Sequence, residues 1–190
     1  MDSISARTQD RFRLTSDPNV MFVNLAAPLI LPPHRHPDHD HYTAVFEQLS
    51  TGGWVKLKIR DGILSVDDSS VTEFVDPRQK THKPPGHDLY MKFRDKGAKV
   101  LHPNILDAML VHKHFAPGSF VVDAAGQPRG TLFYGATFRN QDNGVGARML
   151  YRGQDRDLHD YCVWLGNGLD CKYAAAICAP DPSLLTALYY

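Results

Sequence analysis

The stretch Trp54-Val55-Lys56-Leu57-Lys58-Ile59-Arg60-Asp61-Gly62-Ile63-Leu64-Ser65-Val66 decides the fold. Val55, Leu57 and Ile59 alternate with Lys56, Lys58 and Arg60. That is the period of a strand with one face in a core and the other toward water. Asp61-Gly62 is a two-residue hairpin signal, since both central positions of such a turn need positive φ. Ile63 to Val66 then returns as the second strand. The pair predicts an antiparallel sheet.

The same reading extends outward. Met21 to Leu25 is a short apolar strand. From His39 onward, Tyr42, Ala44 and Phe46 alternate with Thr43, Val45 and Glu47, a period-2 strand with apolar residues on both faces. Further strands are expected at Val71–Val75, Leu89–Phe93, Ser119–Val122, Thr131–Arg139, Ala147–Arg152 and Tyr161–Leu165, with turn residues between them. Lys172–Ala179 fits a strand or a helix. Asn104–Lys113 carries Ile105, Leu106, Met109 and Leu110 at helical spacing behind Pro103, and is the one internal helix expected. Ser183–Tyr190 reads as a short terminal helix capped by Ser183 or Asp181. Residues 76–88 read as a long, polar, proline-rich loop. Strands with frequent turns and no βαβ alternation predict a mainly β fold, an antiparallel barrel or sandwich with one or two short helices. Residues 1–18 are expected to be a loose lead-in and residues 19–190 a single domain.

Composition narrows the function classes. The chain has 190 residues, 43% hydrophobic and 22% charged, enough for a sizeable core. Its 21 basic and 21 acidic residues cancel, which argues against nucleic acid or an anionic membrane as partner. Such neutrality leaves a homo-oligomer open. There is no apolar leader segment and no run near the ~20 residues of a membrane span. Three cysteines, Cys162, Cys171 and Cys178, make no disulfide framework or metal knuckle. They are expected to be small core residues of a cytoplasmic protein.

The conspicuous chemistry is His34-Arg35-His36-Pro37-Asp38-His39-Asp40-His41, four of the ten histidines within eight residues. Neutral imidazole is the commonest ligand for first-row metals, and the mixture with carboxylates suits Fe, Mn, Ni or Zn. If the strand begins at His39, then His39, His41 and Glu47 share one face. That pattern resembles the first metal motif of the cupin superfamily, HxH followed after three or four residues by Glu, with a longer gap here. Pro84-Pro85-Gly86-His87 is similar to the later cupin motif, without residues between Gly and His, and His82 is the other histidine near it. The resemblance covers residues 30–94. It implies a β-barrel in which His39, His41 and His82 or His87 hold a divalent metal and Glu47 is a ligand or general base. His34 to His39 also resembles the HxHxDH signature of metallo-β-lactamase-fold hydrolases. His36-Pro37-Asp38 is similar to half of a two-histidine, one-carboxylate iron triad, which His87, His102, His112 or His114 would complete, with Arg129 to hold a co-substrate acid.

The leading expectation is therefore a small metal-dependent β-barrel enzyme acting on a small organic molecule. Its metal candidates are His36, His39, His41, His82 and His87, and its catalytic candidates are Glu47 and His41. A second reading is a metal-free, calycin-like barrel that binds a small ligand, or turns it over with His41 and Glu47 as an acid–base pair. A third is a non-enzymatic protein-interaction domain. Tyr134, Phe138, Tyr151, Tyr161 and Trp164 would line a ligand site if they shared one face. His102, alone before the helix, is assigned no further role.

Overall fold

The computed structural model describes residues 10–31, 42–49, 52–178 and 182–189. The deciding hairpin is present: β4 (Trp54–Arg60) and β5 (Ile63–Val66) pair antiparallel, with Arg60 opposite Ile63. Asp61 and Gly62 between them have φ of 51° and 76°. Leu57, Ile59 and Leu64 are buried and Arg60 is exposed. A second tight turn, with Asp67 and Asp68 both left-handed, leads into β6 (Ser69–Phe74). On the other side of β4 lie β2 (Val20–Asn24) and β1 (Phe12–Leu14). The lead-in is thus shorter than expected, because Phe12 is buried in the core.

The strand order is β1-β2-β4-β5-β6-β10-β7-β8-β9. β10 (Tyr173–Cys178) runs antiparallel to β6 but parallel to β7 (Gly130–Asn140). β8 (Val145–Arg152) and β9 (Leu158–Trp164) follow, and β3 (Tyr42–Gln48) pairs with the far half of β7. The ten strands form one curled sheet, a half-barrel. The expectation of a purely antiparallel sheet is corrected by the β10–β7 pair. Residues 165–172 cross the sheet instead of turning back on β9, so β10 enters in the direction of β7.

Three α-helices complete the described chain. α1 (Gly86–Asp95) replaces the expected strand at Leu89–Phe93. Leu89, Tyr90 and Phe93 fall on one helical face and are buried, while Asp88 and Arg94 are exposed. α1 also takes the last residues of the expected 76–88 loop, and Pro77–Lys80 form a 3₁₀ turn in that loop. That turn is held by Asp76, whose buried carboxylate accepts from Arg78 and Lys92. Burial would raise its pKa, but those hydrogen bonds prevail and hold it at about 2. α2 (Pro103–Val111) matches the expected internal helix, and α3 (Pro182–Tyr189) the terminal one. Ser119–Val122 is not a strand: Gly118–Phe120 form a 3₁₀ turn that buries Phe120.

The core lies on both faces of the central strands. On one, Leu89, Tyr90 and Phe93 of α1 join Leu132, Tyr134 and Ala175. On the other, Ile105, Leu106 and Met109 of α2 join Phe133, Leu150 and Ala176. Residues 99–101 are wedged into the sheet where β7 departs from β10. Leu101 N–H donates to Ala176 O at 3.0 Å, and Gly135 N–H to Leu101 O at 2.9 Å. Gly135 must be glycine there, since a Cβ would stand 2.6 Å from the Leu101 oxygen and from His102 Cα. Cys162 and Cys178 are buried as expected; Cys171 is exposed, on the turn before β10.

Candidate functional site

The wedge ends at His102, a residue outside the leading expectations from sequence. Pro103 fixes the first residue of α2, so His102 takes the N-cap position, and its extended backbone (φ −80°, ψ 143°) suits that role. Its ring is buried, with 1% exposure. Nδ1 accepts from Asn104 N–H at 3.1 Å. Nε2 therefore carries the proton; it lies 2.8 Å from the Gln48 side-chain amide nitrogen, and turning that amide over brings its oxygen there as the acceptor. Burial, reinforced by the charge of Arg148, lowers the His102 pKa to about 4. The ring is thus neutral with both nitrogens in use. The signal for this role was His-Pro at the head of an apolar helix, the position of an N-cap.

His102 forms part of a cavity of about 410 Å³ inside the curl of the sheet. Its walls come from distant parts of the chain: Leu49 after β3, Val55 on β4, Val66 on β5, Phe93 on α1, Leu101 on the wedge and Ile105 on α2. Arg94, Lys99 and Asp67 lie at the exposed rim. Cys178 closes the β10 side, and burial pushes its thiol up to about 11, so it stays protonated. The lining mixes apolar side chains with polar groups, and its charged side chains stand at the rim.

Beyond the cavity, Arg148 of β8 is buried between two carboxylates. It contacts Asp107 at 2.7 Å and Asp160 at 2.8 Å, and Arg11 reaches Asp107 at 3.2 Å. This network ties α2, β8 and β9 to the segment before β1.

Glu47, the expected catalytic carboxylate, is half-buried near the end of β3 and accepts from the Tyr90 hydroxyl of α1. Burial first, then Glu47 itself, pushes the Tyr90 pKa well above the phenol range. His87 is the second residue of α1; it is exposed, with its ring 6.4 Å from that of Tyr90. Glu47 and His87 thus meet the same tyrosine. His82 is exposed after the 3₁₀ turn, beside the Thr81 hydroxyl. His36, His39 and His41 lie outside the described residues. Among the described residues, no three His, Cys, Asp or Glu side chains gather as a metal site. The Pro84-Pro85-Gly86-His87 stretch opens α1 and docks on the turn after β9. His87 N–H donates to Leu165 O at 2.8 Å, and a Cβ on Gly86 would stand 3.2 Å from Leu165 Cα. The expected aromatic lining does not assemble, because Tyr134 and Phe138 are fully buried while Tyr161 and Trp164 are exposed.

No family model, curated protein or solved structure matches this chain. No helix among the described residues is long and apolar enough to cross a membrane.

Proposed function

We propose that this chain binds a small organic molecule with both apolar and polar parts in the cavity at His102. The observation that carries this reading is the cavity itself. Its size falls within the range of small-molecule sites, roughly 300–1,000 Å³, and its lining combines apolar side chains with polar and charged groups at the rim. Six separate segments supply those walls, so the cavity belongs to the tertiary fold and not to one loop. His102 serves here as a positioning residue: it fixes the start of α2 and the adjoining wall. With both nitrogens engaged, it is not an available base.

The competing reading is a metal centre at the histidine cluster. It is favoured by the convergence of Glu47 and His87 on Tyr90. The cavity reading is preferred because Glu47 is already engaged by Tyr90. Glu47 also lies about 16 Å along β3 from Tyr42, the neighbour of His41, at ~3.3 Å per residue.

The test is titration with a solvatochromic apolar dye of wild type, Val55→Trp and a His39→Ala/His41→Ala double variant, with metal content measured on each. Val55 is a half-buried wall residue, and tryptophan there fills the cavity. The expected result is dye binding by wild type and the histidine variant, and none by Val55→Trp at an unchanged unfolding midpoint. Unaltered binding by Val55→Trp would overturn the reading. Joint loss of stoichiometric metal and of dye binding in the histidine variant would move the site to the cluster.

A further inference from the structure

We infer that the cavity's ligand is an amphipathic acid: an apolar chain that fills the interior and an anionic head held at the rim by Lys99 and Arg94. This inference rests on the cavity reading above and adds the chemical class.

The two buried polar side chains of the lining, His102 and Cys178, offer an incoming molecule little. Both His102 nitrogens are engaged by Asn104 and Gln48, and the Cys178 thiol is a weak, neutral donor. A ligand whose polar group sat deep inside would lose water there and find no strong partner, which is costly. The polar group therefore belongs at the mouth.

Two of the three charged groups at the mouth are cations. Lys99 is exposed and forms no ion pair among the described residues. Among the described residues, the ion pair Arg94 makes is with its exposed neighbour Asp95, at 3.3 Å. Asp67 is already committed: one oxygen accepts from Lys56 N–H at 2.8 Å and helps set the turn between β5 and β6. Of the rim charges, Lys99 is thus the one most available to a ligand, and it selects an anion. An apolar chain alone would leave this cation unused, and an ammonium head would face it.

Size sets the chain length. The space, about 410 Å³, lies toward the lower end of small-molecule sites and suits a chain of medium length. Decanoate carries such a chain, and decanol is its neutral counterpart.

The experiment is displacement of the apolar dye by decanoate and by decanol at low ionic strength, in wild type, Lys99→Met and Arg94→Met. Methionine keeps an apolar stem of similar length, and both positions are exposed, so folding is retained. Decanoate is expected to bind about fivefold more tightly than decanol in wild type, the effect of one partly screened ion pair. That margin is expected to collapse in Lys99→Met, to narrow in Arg94→Met, and to vanish near 1 M salt, where screening acts within about 3 Å. Equal binding of the two probes, or tighter decanol, would overturn the acid assignment and leave the cavity reading standing. Displacement by neither probe, with the dye still bound in the cavity, would also overturn it. Failure of the dye itself to bind would remove the cavity reading and this inference together.

Discussion

Acidification should destabilise this fold through His102, and the size of the effect follows from its position. The folded-state pKa is about 4, against 6.5 for an ordinary histidine. Below pH 6.5 the unfolded chain takes up a proton that the folded chain refuses, so stability present at neutral pH is lost as pH falls from 6.5 to 4. Linkage gives a loss of roughly 1 kcal/mol at pH 5.5 and roughly 3 kcal/mol at pH 4. The structural cause is specific. A proton on Nδ1 would break the bond from Asn104 N–H and place a cation against the N-terminus of α2, inside a buried site that already feels Arg148. His102→Asn isolates the effect, because asparagine is a good N-cap and does not titrate. The assay is urea unfolding of both proteins at pH 7, 5.5 and 4. The pH-dependent loss of wild type should exceed that of the variant by these amounts, whatever the variant's absolute stability. Parallel losses in the two proteins, or an NMR titration placing the His102 pKa near 6.5, would refute the reasoning.

Three other outcomes follow from the geometry. Gly135→Ala should cost about 3 kcal/mol in chemical denaturation, because its Cβ meets backbone on the wedge and neither strand can yield. Arg148→Met should cost about 3–5 kcal/mol in the same assay, since among the described ion pairs it removes the partner of buried Asp160 and leaves buried Asp107 to Arg11. Glu47→Ala should cost about 2 kcal/mol by removing the acceptor of the buried Tyr90 hydroxyl; Glu47→Gln, which keeps an acceptor, should recover most of it, as read by thermal melts of the three proteins.

The elements that could be read from sequence were those with one face in water. β4 and β5 alternate because Lys56, Lys58 and Arg60 turn away from the core that Leu57 and Ile59 enter. β10 was ambiguous for the opposite reason. It lies between α1 and α2, so Ala174-Ala175-Ala176-Ile177 is buried throughout and carries no period. α1 was misread because Leu89, Met91 and Phe93 also satisfy a period of two. The buried pair Leu89 and Phe93, four residues apart, was the helical clue. Glu47 was singled out for chemistry; in the described chain its carboxylate accepts from the Tyr90 hydroxyl. The cavity was hidden because its walls are ordinary residues drawn together only by the fold. His102 was hidden because histidine is an uncommon helix cap.

The position of β10 shapes how this chain must fold. It is the last of the described strands in sequence, yet it stands between β6 and β7 in the middle of the sheet. Everything from β1 to β6 is one antiparallel ribbon apart from β3, and β7 to β9 with β3 are another; in strand order the two ribbons join only through β10. The hairpins can close locally and early. The junction cannot, because its partners are about a hundred and about forty residues upstream, and closing such long loops is slow. On a ribosome, both ribbons would emerge with the edges of β6 and β7 still unpaired, a state open to wrong pairing until the final strand arrives.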